Sequence, residues 1–159
     1  MKKILPFFII LFFIFGNFLF SQEVASYKDY PPKAVLNATY MGDIEMLKDI
    51  LKTNPDRDVR DSLGGTALHM AILFNNLDII KFLLENGFDV NAVIPPDGYQ
   101  PLRGYTPLHY CVWTNNVNAA NLLLQFKADK NIKAADGMTP VEKATKEGKR
   151  EMLLLFARK

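Results

Sequence analysis

A single cysteine, Cys111, stands in the 159 residues, so no intrachain disulfide can form. Small exported domains often rely on disulfides because their cores are small; this chain must be held by packing instead. Histidine is almost as scarce, with only His69 and His109, and no further ligand stands at compatible spacing, so no metal site is expected. Charge of one sign is lacking too. The chain has 19 basic and 17 acidic residues, and Lys2 and Lys3 account for the net +2. A neutral domain has no global electrostatic reason to seek DNA, RNA or an anionic membrane, so no nucleic-acid partner is expected. No Gly-x-Ser-x-Gly elbow, phosphate-binding loop or dinucleotide fingerprint is present. His109 and Cys111, two residues apart, point to different faces of a helix, so Cys111 reads as a packing residue rather than a nucleophile. Neither an enzyme nor a cofactor is expected.

Apolar residues, by contrast, crowd the start, where Met1–Phe20 holds seven of the 12 Phe. A basic Lys2-Lys3, an uncharged run Ile4–Phe20 and a small polar Ser21 are the parts of a secretory signal peptide, residues 1–21. Cleavage is expected after Ser21, with Ala25 as the second position, and the mature chain is expected to be exported, periplasmic or secreted. The competing reading is an uncleaved membrane anchor facing outside the cytoplasm, because seventeen apolar residues reach the low end of a bilayer span of roughly 17–25. Pro6 and Gly16-Asn17 interrupt that run. A membrane is met only if this segment is retained. Residues 22–32 are polar and close on Pro31-Pro32, which disfavours helix and marks a linker.

From residue 33 onward one pattern recurs. Gly64-Gly65-Thr66-Ala67-Leu68-His69 opens a short apolar segment; Gly104-Tyr105-Thr106-Pro107-Leu108-His109 and Gly137-Met138-Thr139-Pro140-Val141 repeat it. Thr106 and Thr139 are thirty-three residues apart, but Thr66 and Thr106 are forty apart. The seven extra residues fall within Val93–Arg103, whose three prolines and Gly98 predict a long surface loop rather than another helix. Each unit reads as a turn, a short helix, a second apolar helix and a stop. In the second unit Thr66 caps the first helix, and Leu68, Ala71 and Ile72 face inward. Asn75 reverses the chain in the left-handed conformation, as Asn115 does one unit later. Ile79, Ile80, Leu83 and Leu84 form the second stripe, and Gly87 ends it. The units are placed at 33–60, 61–93, 101–133 and 134–159, with the inserted loop at 94–100. The first lacks the Thr-Pro-Leu-His start and the fourth has Val141-Glu142 in place of Leu-His, so both read as end caps. Leu153–Phe156 is apolar for an outer surface, a patch where something else would dock. Such a unit cannot bury its own apolar face, so an all-α stacked solenoid of about four helix–turn–helix units is expected.

These residues resemble the ankyrin repeat family over Lys33–Lys159. The departures are the insertion, Ala67 for the motif's Pro, Cys111 for its first Ala and the lost Leu-His of unit four. The resemblance implies hairpin loops projecting from one edge and a protein partner bound at the concave face. It also implies a structural role for Thr66, His69, Thr106, His109 and Thr139, with the imidazoles tying neighbouring loops together. Its surface-facing positions here are Tyr40, Met41, Leu63, Leu73, Phe74, Arg103, Tyr105, Trp113 and Met138, among Ser62, Gly65, Thr114, Asp136, Lys146 and Glu147. Tyr99 and Leu102 of the insertion would add a lid or wall. Surface positions are polar unless used, and contact surfaces are enriched in Trp, Tyr, Phe and Met. The bland alternative is that Phe74 and Trp113 pack on the next unit or on the inserted loop. The expected function is a non-enzymatic, monomeric protein-interaction module with an unidentified partner. A membrane-tethered scaffold, or a small-ligand binder using a pocket between loop and groove, are the alternatives.

Overall fold

Helices of seven to nine residues do not hold alone in water, so every element here depends on its neighbours for cover. The computed structural model describes residues 33–158; the expected signal peptide and linker lie outside them. Among the described residues are eight α-helices: α1 (Ala34–Met41), α2 (Ile44–Lys52), α3 (Ala67–Leu73), α4 (Leu77–Glu85), α5 (Pro107–Thr114), α6 (Val117–Gln125), α7 (Pro140–Lys146) and α8 (Arg150–Phe156). They pair within each unit as α1–α2, α3–α4, α5–α6 and α7–α8. The first helices α1, α3, α5 and α7 pack side by side in one row, and α4, α6 and α8 form a second. The described residues hold no strand, only an isolated bridge between Arg60 and Thr66. This is the expected all-α solenoid of four units.

The local chemistry explains the punctuation. Asp43, Asn76 and Asn116 cap the second helices by accepting the N–H of Met46, Ile79 and Ala119 at 2.8, 3.1 and 3.0 Å. The chain reverses between first and second helices at Gly42, Asn75, Asn115 and Gly148, all with positive φ. After the second helices the same left-handed position falls on Asn54, Gly87 and Lys127. Between the helix rows lies the core, where Leu47, Ile50, Leu68, Ile72, Ile79, Ile80, Leu83, Leu108, Leu123 and Met152 are fully buried. Cys111 is buried among them, and burial pushes its thiol pKa up, as befits a packing residue.

Two expectations need correction. The insertion is not simply a loop on the surface: it carries a 3-10 turn, Gln100–Leu102, and buries Ile94 and Leu102. Of Leu153–Phe156, on α8, Leu155 and Phe156 are buried, Leu153 is partly covered and only Leu154 is widely exposed, so the run is mostly core. No helix among the described residues is long and apolar enough to cross a membrane.

Candidate functional site: an apolar face with an amide-lined edge

Two histidines set the register of the stack. Thr66 donates its backbone N–H to His69 Nδ1 at 3.2 Å, so that nitrogen is the acceptor and Nε2 carries the proton. Nε2 then donates across the unit boundary to the Tyr105 carbonyl at 3.3 Å. His109 repeats this, accepting from the Thr106 N–H at 3.1 Å and donating to the Met138 carbonyl at 3.1 Å. Burial pulls the His69 pKa down to about 3, against the backbone hydrogen bond to Tyr105 that raises it. His109 is shifted in the same direction for the same reason. Both rings are thus neutral ties between loops, the role the resemblance implies. In the fourth unit Glu142 takes the histidine's place, accepting the Thr139 N–H at 2.8 Å while Thr139 Oγ1 accepts the Glu142 N–H at 3.2 Å. The Thr-x-x-Glu spacing would have revealed this box in the sequence.

The surface-facing residues divide into two groups at opposite ends of the first helices, about 10 Å apart along a helix of seven or eight residues. At the C-terminal ends stand Tyr40, Met41, Leu73, Phe74 and Trp113, all exposed. Tyr40, Leu73 and Trp113 hold equivalent positions in successive units, so they form one row across the stack, and Lys146 ends it. Phe74 meets the Tyr40 ring edge-on at 5.2 Å, while Trp113 leans on Tyr110 of its own helix at 5.4 Å. Neither is covered by these contacts: Phe74 is 51% and Trp113 47% exposed.

The hairpin group comprises Leu63, Tyr99, Arg103 and Met138. Leu63 and Tyr99 are exposed and joined, since Tyr99 donates its N–H to the Leu63 carbonyl at 3.1 Å. Arg60 Nη1 donates to the carbonyls of Gly64 and Val93, both at 2.9 Å, and Ile94 and Gly104 bond back across the base of the loop. The insertion is therefore a closed, anchored loop with Tyr99 at its outer side. Arg103 and Met138 are only partly exposed, and Arg103 Nε points at the Gly98 carbonyl, 3.4 Å away.

Tyr105 does not belong to the surface. It is 8% exposed, beneath the Lys143 ammonium, which lies 4.6 Å from the ring centroid. Lys143 is held there by Asp136 at 2.6 Å. Burial opposes the charge on Lys143, but hydrogen bonding to the side chains of Asp136 and Tyr105 outweighs it, and the pKa is raised. Leu102, expected beside Tyr99 as a lid, is likewise buried.

A feature the sequence reading passed over is the edge opposite the hairpins. A cleft of about 480 Å³ opens there, lined by Leu73, Asn75, Thr114, Asn115, Asn118 and Glu151 among others. Its signal was an excess of asparagine at the reversals, which is also what a left-handed turn requires. Among the described residues no group of three or more His, Cys, Asp or Glu side chains is placed to hold a metal.

Comparison with known proteins agrees with this architecture. The family model for ankyrin repeats (3 copies) matches residues 35–134. The chain is 32% identical over 127 residues to an ankyrin repeat protein of Rickettsia bellii, covering 79% of this chain and 66% of that one. It is 35% identical over 109 residues to an ankyrin repeat protein of Acanthamoeba polyphaga mimivirus, 65% of this chain and 13% of the relative. Over 111 residues it is 34% identical to the nuclear factor NF-kappa-B p105 subunit of Gallus gallus, 67% and 11% respectively. The chain thus spans less than two thirds of the length of each of these relatives.

Proposed function

The chain belongs to the ankyrin repeat family, whose repeats are protein-interaction modules, and from that premise we propose that it is an exported, non-enzymatic binder of another protein. One observation carries the proposal: Tyr40, Met41, Leu73, Phe74 and Trp113 stand exposed together at the ends of the first helices. Five large apolar side chains on one face of a helix row lose free energy to water unless a partner covers them. Trp and Tyr in that group are the residue types that anchor protein interfaces. Tyr99 and Leu63, at the other end of the first helices, frame the face on the hairpin side.

The test is a pull-down from the native source with wild type and the Phe74→Ala plus Trp113→Ala double variant. Both side chains are half exposed, so the variant stays folded, and it is expected to lose the partners that wild type recovers. Undiminished recovery removes this face from the interface. Export rests on Lys2-Lys3, the Ile4–Phe20 run and Ser21. N-terminal sequencing of the mature protein is expected to begin at Gln22; a chain that begins at Met1 and remains with the membrane fraction supports the tethered scaffold instead.

A further inference from the structure

The cleft on the edge opposite the hairpins is built from three units, with Leu73 and Asn75 from the second, Thr114, Asn115 and Asn118 from the third and Glu151 from the fourth. It therefore exists only in the assembled stack. Its hydrogen-bonding pattern follows from one fixed amide. Asn116 Oδ1 accepts the Ala119 N–H at 3.0 Å, so the other end of that amide is the donor. It donates to Asn75 Oδ1 at 2.8 Å, which leaves the Asn75 Nδ2 as an unspent donor. Thr114 spends its hydroxyl proton on the Tyr110 carbonyl at 2.8 Å and keeps its lone pairs. Asn115 and Asn118 are exposed, and their amides make no hydrogen bond within the described residues. The rim thus offers donors and acceptors side by side.

Asn115 is the informative member. Its φ of 55° is the left-handed turn that glycine meets with less strain, and Gly42 and Gly148 do so at the equivalent positions of the end units. Asn75 has a structural reason to be asparagine, as the acceptor for Asn116. Asn115 meets the left-handed turn as asparagine can, and its side-chain amide makes no such bond in the fold.

We propose that this cleft binds the main chain of an extended peptide segment of the partner, a deepening that rests on the function proposed above. Paired donors and acceptors on neutral amides match the N–H and C=O of a peptide. The only charge among the lining residues is the Glu151 carboxylate, which repels phosphate and carboxylate ligands. Leu73 lines the cleft and also belongs to the apolar row that continues to Trp113. A segment whose side chains rest on Leu73 and Trp113 therefore carries its main chain past the amides. That continuity favours a peptide over an oligosaccharide, the other neutral ligand with paired donors and acceptors.

A random dodecapeptide library displayed on phage is panned against the immobilised full chain, and enriched peptides are synthesised. Their affinity is then measured for wild type, for Asn115→Gly plus Asn118→Ala, and for Phe74→Ala plus Trp113→Ala. The asparagine changes suit a left-handed turn and an exposed helix position, so they do not unfold the chain. The affinity is expected to fall about tenfold or more in both variants, the worth of two neutral hydrogen bonds in the first. Loss in the aromatic variant alone overturns the cleft and leaves the apolar face standing. Indifference to both overturns both, whereas the absence of any enriched peptide overturns the peptide assignment and leaves the apolar face to the pull-down. Loss in the asparagine variant alone supports the cleft and rejects the apolar face. A glycan array that yields a ligand lost on Asn115→Gly plus Asn118→Ala overturns the peptide assignment.

Discussion

At the residue scale, the left-handed positions separate what chemistry announces from what it conceals. Asn75, Asn115 and Gly87 were legible as turn residues because Asn and Gly tolerate positive φ. Lys127 was not, because nothing in a lysine signals φ of 64°. It is there because the repeat demands that turn, whatever residue fills it. Lys127→Gly is accordingly expected to raise stability by about 0.5–1 kcal/mol in urea denaturation, as relief of strain outweighs the extra freedom of the unfolded chain. Histidine sets the pH dependence. Unfolded His69 titrates near the ordinary histidine value of 6.5, but folded His69 only near 3, so the unfolded chain binds the proton first. Stability is thus full above pH 6.5 and is lost as pH falls below it, at up to about 1.4 kcal/mol per pH unit for His69. His109 adds to the same trend. The urea midpoint is expected to drop between pH 7 and 4.5, with a shallower slope in His69→Gln. A midpoint indifferent to pH in that range would contradict the buried neutral imidazole.

Elements show how exposure sorts side chains that look alike in the sequence. Leu68 and Leu73 lie on one helix, one fully buried and the other 43% exposed. Leu68→Ala is expected to cost about 2–5 kcal/mol. Leu73→Ala, Phe74→Ala and Trp113→Ala should each cost about 1 kcal/mol or less, measured by the same denaturation. A Trp113→Ala loss as large as Leu68→Ala would make that ring core rather than contact surface. The inserted segment teaches the same lesson. Its prolines announced a break in the helical period but not that Ile94 and Leu102 fold under it. Gly104 closes its base with φ of 75°, and a methyl group there would come within 2.5 Å of the Ala135 nitrogen. Gly104→Ala is therefore expected to lower the melting temperature markedly more than Gly137→Ala, which has a similar φ but open space around it.

For the whole molecule, stability passes between nearest neighbours, so the ends of the stack are its weak points. In native-state hydrogen exchange, amides of α2 and α8 are expected to exchange before those of α3–α6; uniform protection would mean that the four units open only together. The exposed row and the cleft follow from the same one-dimensional order. The Tyr40–Leu73–Trp113 row and the cleft reaching from Leu73 to Glu151 both draw on several units, so no single unit contains either. The sequence by itself determined the repeat, its turns, its core stripes and the place of the insertion, because each of these follows from local periodicity and backbone preference. Only the tertiary structure decided that Tyr105 lies beneath Lys143, that Phe74 and Trp113 remain open, and that amides from neighbouring reversals share one cleft. These depend on which side chain of one unit reaches the next. Such contacts are set by stacking distance and side-chain direction, which no local pattern records.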